Sequence, residues 1–166
     1  IPPRIIERLK DERLLCAVPI MRNERSELIP TVQAPAFFRN KLRVVPIPPA
    51  KDGMPSLYPF DYMGIYDKER FQRTGGYDAE ITTPYWQKMD FGFRAHMWGE
   101  RIVCATSLRV NLKSRDVAED TTPDESYSRF YLKNLSVRFN GDSGDMPRRK
   151  FLQFYVFCGS RSSAQQ

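Results

Sequence analysis

The residues richest in chemistry lie between positions 61 and 94. Asp61 precedes a short apolar run, Gly75-Gly76-Tyr77-Asp78 follow a charged segment, Tyr85-Trp86 come next, and Asp90 and Arg94 stand at i and i+4. Two glycines let the backbone reach φ > 0 and bring its N–H groups close to a ligand, or simply end a helix. On a helix, Asp90 and Arg94 can pair as ions. The same carboxylate can take a proton from a hydroxyl. Tyr85 and Trp86 offer flat apolar faces that suit a ligand or a core equally well. His96, the single histidine, falls mid-helix and reads as structural. Cys16, Cys104 and Cys158 are far apart with no Cys-x-x-Cys pair. They are expected as reduced, mostly buried thiols and not as a zinc site.

The elements that position these residues follow from spacing. Ile5, Ile6 and Leu9 repeat at helical period after Pro2-Pro3, so residues 4–12 form a helix. Residues 14–20 are an apolar run of strand length. Residues 21–38 carry Pro30 and Pro35 and read as loop with one short helix; 42–45 read as a short strand. The proline-rich segment 46–59 reads as irregular. A strand is expected over 62–66, then a short helix capped by Asp67 and ended by Gly75. The next helix lies between Tyr85 and Trp98, closed by Gly99, with Met89, Phe93 and Met97 as its apolar stripe. Thr83-Pro84 supplies a cap and an N1 proline for its start, whereas a family resemblance places that start near position 88. A strand is expected over 101–105, and 108–112 continue into another. Residues 113–124 form a polar loop. Thr122 and Glu125 have capping-box spacing and open a helix through Phe139, ended by Gly141. Asp142-Ser143-Gly144-Asp145 reads as a turn, and 151–157 as an aromatic C-terminal helix. Alternating short strands and helices give an α/β domain.

Taken together, Phe60-Asp61 through Tyr66, Arg70-Phe71, Gly75-Gly76-Tyr77-Asp78 and Tyr85-Trp86 through Asp90 and Arg94 resemble the second half of a GT-A-type, family 2-like glycosyltransferase domain. The resemblance covers roughly residues 14–139. It implies a partial Rossmann-like fold, a mixed sheet with flanking helices, over a single domain 1–166. That domain is the acceptor and catalytic portion of a larger one, with the nucleotide-binding half and its Asp-x-Asp motif absent from this chain. It implies transfer of a sugar from a nucleotide-diphosphate donor to a glycan, lipid or small-molecule acceptor, with Mg²⁺ or Mn²⁺ in the intact enzyme.

In such enzymes a carboxylate near a helix start deprotonates the acceptor and a divalent cation stabilises the leaving diphosphate. Asp90 matches the second acid of the family pattern and is the candidate to have taken the catalytic role, because the position usually assigned as base falls on Lys88. Asp61, Gly75, Gly76, Trp86 and Arg94 fall on substrate-contacting positions. The Glu-Asp pair expected after the tryptophan is replaced by Gln87-Lys88. Asn111 and Asp116 lie where a metal ligand often falls, but no histidine accompanies them, so no metal ligand is assigned. The loop 113–124 corresponds to a donor lid. The alternative reading is a non-catalytic binding domain derived from the same fold, which Gln87-Lys88 favours.

The totals fit a soluble globular chain: 41% hydrophobic and 28% charged residues. Net charge is +6, a balance that attracts polyanions. No nucleic-acid motif accompanies it, so nucleic acid is not an expected partner. Arg148-Arg149-Lys150 is the densest basic cluster, a solvated face or a peripheral contact with an anionic membrane. No apolar run approaches the roughly 20 residues that span a bilayer, and no signal peptide is visible, so a cytoplasmic location is expected. Strands missing upstream would leave a sheet edge open to self-association.

Overall fold

The apolar run that begins at Leu14 becomes β1, Leu14–Arg22, whose first six residues are buried. In the computed structural model, which describes residues 3–38, 41–113, 119–136, 138–140, 143–145, 147–149 and 152, β1 is the middle strand of a three-stranded mixed sheet. The sheet holds β5 (Arg101–Asn111) parallel to β1 on one side and β4 (Ile65–Tyr66) antiparallel on the other. A strand covered on both faces is apolar along its length and not alternating, as β1 is. The helix α1, Pro3–Asp11, lays Ile5 and Leu9 against Leu14, Ala17, Val103 and Ala105.

The β1–β5 register slips after Pro19, from Pro19↔Ala105 to Ile20↔Arg109. Pro19 has no N–H for the ladder. At the slip, Asp52 Oδ1 accepts from Thr106 N at 2.7 Å and from Thr106 Oγ at 3.0 Å.

The described residues form two compact units, one of Ile1–Gly76 with Phe91–Ala118, the other of Tyr77–Asp90 with Glu119–Gln166. In the first, the segment read as loop contains β2, Val32–Phe38, paired antiparallel with β3, Lys41–Ile47. Pro35 misled that reading. A two-stranded ribbon leaves alternate N–H groups facing away from the partner, so it tolerates proline. The proline-rich crossing segment is also less irregular than expected. β3 takes in Pro46 and Ile47, and further on the backbone follows the outer edge of β5: Cys104 N donates to Met54 O at 2.8 Å and Ser56 N to Ile102 O at 2.9 Å. This segment covers the outer edge of β5 over 102–104.

The expected strand 62–66 is shortened to β4. Phe60–Tyr62 form a 3₁₀ turn in which Asp61 and Tyr62 are both left-handed, at φ 47° and 59°. The helix α2, Lys68–Arg73, is capped as expected by Asp67, which accepts from Arg70 N at 2.9 Å. The long helix α3, Pro84–Met97, starts at the Thr83-Pro84 signal and contributes to both units. Its stripe includes Met89, but Met97 is 56% exposed, because the last turn projects beyond the packed part of the helix with Trp98. In the first unit Gly92 meets the backbone so closely that a Cβ there would lie 2.3 Å from Leu57 O.

In the second unit the capping residue is Asp124, not Thr122. Asp124 Oδ1 accepts from Tyr127 N at 2.9 Å, opening α4, Glu125–Tyr131. α4 does not run to 139. It widens into a turn of π-helix, Leu132–Ser136, and gives way to β6 (Arg138–Asn140), paired with β7 (Ser143–Asp145). The pairing of Asn140 with Ser143 brings Ser143–Asp145, read as turn, into a strand. The helix-ending Gly141, with Asp142, Asp116, Lys150, Cys158 and all of the 151–157 helix except the helical Leu152, lies outside the described residues. Cys16 and Cys104 are buried free thiols. Among the described residues no helix is long and apolar enough to cross a membrane.

Candidate functional site

In the second unit, α3 carries Asp90 on its second turn, completely buried. A buried carboxylate requires partners. Asn134 Nδ2 donates to Asp90 Oδ1 at 2.8 Å, and Lys133 Nζ lies 3.2 Å from the carboxylate. Lys133 also reaches Asp78 Oδ2 at 2.9 Å. One ammonium thus bridges two carboxylates.

The bridging pair, Lys133 and Asn134, are consecutive residues on the π-helical turn. Such widened turns recur at functional sites because they re-aim side chains that a regular α-helix would spread apart. Asn134 is held in turn by a bond to Phe130 O at 3.1 Å.

Asp78 is fixed from its own loop. Its Oδ1 accepts from Glu80 N at 3.0 Å, and Gln87 Nε2 donates to its backbone oxygen at 2.8 Å. Arg129 Nε stands 3.6 Å from Asp78 Oδ2, and its other end pairs with Glu80. The Lys133 hydrogen bond, helped by the charges of Lys133 and Arg129, holds the Asp78 carboxyl below the ordinary aspartate range despite its burial.

An aromatic cluster lies in the same unit. Trp86 stacks on Phe130 at 5.7 Å, meets Tyr85 edge-on at 4.6 Å and Tyr127 at 4.7 Å, and its Nε1 donates to Thr122 O at 3.0 Å. Thr83, just ahead of α3, donates through Oγ1 to the Asp124 carboxylate and through N to Ser126 Oγ at 3.1 Å. The starts of α3 and α4 are thereby tied together. Lys88, at the position where the resemblance calls for an acid, is buried and paired with Glu119.

The first unit holds the remaining candidates. Gly75 and Gly76 are at φ 80° and 59°, and their N–H groups donate to Gln72 O and Phe71 O, each at 3.0 Å. The N–H cradle expected of this pair is engaged in ending α2, whose last carbonyls need donors. Arg94 completes that end: its guanidinium donates to Thr74 O and, at 2.6 Å, to Gly76 O. A Cβ on Gly75 would lie 3.2 Å from Arg94 Nη1, and one on Gly76 3.0 Å from the Phe71 ring. His96 Nε2 lies 3.1 Å from Ser56 O, the structural role read for it.

Gly75, Gly76 and Arg94 are therefore brought together as one turn. Asp61 is in the same unit but on a separate, left-handed turn, and Trp86 and Asp90 belong to the second unit. Asp90 does not stand at a helix start, because Thr83-Pro84 begins α3 two turns earlier, so the helix N-terminus does not act on it. Lys133, Asn134 and Glu119 carry no local signal. They lie 43, 44 and 31 residues from their partners on α3. Asp78 had one, its place two residues after the Gly-Gly pair.

The donor set does not suit a divalent cation. Among the described residues no group of three or more His, Cys, Asp or Glu could hold a metal ion, and an ammonium stands between the two carboxylates. No protein-family model matches the chain, and no curated protein matches it.

Proposed function

We propose that the chain is the acceptor and catalytic portion of a GT-A-type glycosyltransferase domain, acting on a nucleotide-diphosphate sugar and a hydroxyl acceptor. The observation that carries this reading is the Asp90 cluster. Asp90, the second acid of the family pattern and the candidate base, is the fully buried carboxylate of α3, held by Lys133 and Asn134. Burying a carboxylate costs several kcal/mol unless it is paired.

In this reading the acceptor hydroxyl displaces the Lys133 ammonium, whose side chain is 37% exposed, and so gains the Asp90 oxygen that Lys133 covers. Asn134 keeps the other oxygen in place. Asp90 takes the hydroxyl proton as the oxygen attacks the anomeric carbon and the nucleotide diphosphate departs. The Mg²⁺ or Mn²⁺ of the intact enzyme finds no ligand set among the described residues, and no step here is routed through it.

The second reading, a non-catalytic binding domain of the same ancestry, is favoured by one observation: the position of the missing acid is a buried lysine bonded to Glu119. Sugar-transfer assays on the full-length protein with UDP- and GDP-sugars and Mn²⁺ separate the two. The enzyme reading expects turnover that Asp90→Asn abolishes while the fold persists. Donor-dependent thermal stabilisation without turnover selects the binding domain, and no response to any donor overturns both.

A further inference from the structure

Lys88 is buried, with 3% of its side chain exposed, and takes no part in the transfer scheme above. Its ammonium is met by Glu119, at the head of the segment 119–124. Two more side chains at the start of α3 hold the same segment. Trp86 Nε1 donates to Thr122 O at 3.0 Å, and Thr83 Oγ1 donates to the Asp124 carboxylate. Residues 120–124 are exposed, and 120–123 make no backbone–backbone hydrogen bond to another described residue. A segment held by side chains opens locally at lower cost than the helices beside it. Its charge is of one sign: Glu119, Asp120, Asp124 and Glu125, with no base among residues 119–125. Of these four acids only Glu119 is turned inward.

We propose that residues 119–124 are a strap that lifts about its Asp124 end, and that Lys88 then binds the carboxylate of a small acid in place of Glu119. An ammonium buried without an anion is costly, so a lysine that loses Glu119 favours another anion at the same place. Glu119 shows that a carboxylate fits there. The ligand shares the sign of the strap it replaces, so the two compete for one cation. Asp124 is the hinge because its carboxylate also accepts from Tyr127 N at 2.9 Å and caps α4, which keeps that end in place. The proposal does not rest on the transfer reaction.

The chain reports on its own strap. It has two tryptophans, and Trp98 is 69% exposed, so the full chain carrying Trp98→Phe emits from Trp86 alone. Glutarate, set against sodium chloride of equal ionic strength, should raise acrylamide quenching of Trp86 saturably. Adding Glu119→Gln removes the internal competitor and should lower the half-saturating glutarate concentration about tenfold. Adding Lys88→Met should abolish the response, with far-UV circular dichroism unchanged. An ion pair that only holds the fold together would give no gain of affinity in Glu119→Gln. In the unsubstituted chain the Trp86 indole proton, bonded to Thr122 O, should exchange with solvent before the α3 amides and faster with glutarate; this arm stands even where Glu119→Gln does not fold. The proposal is overturned by an indole proton that exchanges only together with the α3 amides, by a glutarate response no larger than that of chloride, by a folded Glu119→Gln that binds no tighter, or by Lys88→Met responding as its parent.

Discussion

The two units bury different chemistry. In the first, the buried polar residues are Thr31, Gln33, Ser56 and Thr74, all uncharged, around an apolar core of Leu14, Leu15, Val18 and Ile102. In the second, Lys88 and Asp90 are buried with their charges, beside an aromatic cluster. An apolar core is held by area and shape, and tolerates substitutions that keep volume. A charged interior depends on each partner being present, because removing one strands the other. The first unit is thus a scaffold, and the second carries the groups worth testing for chemistry.

The sharpest way to break this contrast is Asp90→Ala. It leaves Lys133 and Asn134 without their buried acceptor and should cost about 3–5 kcal/mol in urea unfolding. A loss below about 1 kcal/mol, the range of a surface pair, would remove the distinction between the units. In the scaffold, Gly92→Ala drives a Cβ to 2.3 Å from Leu57 O. Main chain yields little, so a loss of about 1–3 kcal/mol or more is expected in the same assay.

Gly76→Ala, at φ 59° and facing the Phe71 ring, should cost about 1–2 kcal/mol, and its thermal midpoint will show whether the Arg94-locked turn is rigid. Asp124→Ala removes the α4 cap and should cost about 1 kcal/mol, read by the same melting experiment.

The smallest effect concerns acid. Asp78 is held below its ordinary value by Lys133 and Arg129. Its contribution is therefore complete above about pH 3.9, the unfolded aspartate value, and is lost as pH falls through the lower folded value. Asp78→Asn should flatten the acid limb of the stability curve; an unchanged limb would detach Asp78 from the cluster.

Much of the scaffold was legible because its signals are local. The apolar run at Leu14, the Asp67 cap, the Gly75 and Gly99 stops and the Thr83-Pro84 start all act within a few residues. The misreadings share one cause. Pro35 was judged by its own preference, whereas pairing with Val44 makes it part of a strand. Thr122 had the right spacing to Glu125, but Asp124 sits closer to the helix that forms and took the cap. The Gly-Gly pair had two local readings, a ligand cradle and a helix stop, and Arg94 from elsewhere in the chain joins it to the end of α2.

The sequence by itself determined the alternation of strands and helices, the ends of α2 and α3, and the presence of Asp90 on α3, since capping, φ preference and hydrophobic period are properties of neighbouring residues. Only the tertiary structure decided that Asp90 is buried, that Lys133 joins it to Asp78, that Lys88 meets Glu119, and that residues 54–56 follow the edge of β5. Those choices join groups dozens of residues apart. They are made by burial, which leaves a carboxylate or an unpaired strand edge no stable place without a partner from elsewhere in the chain.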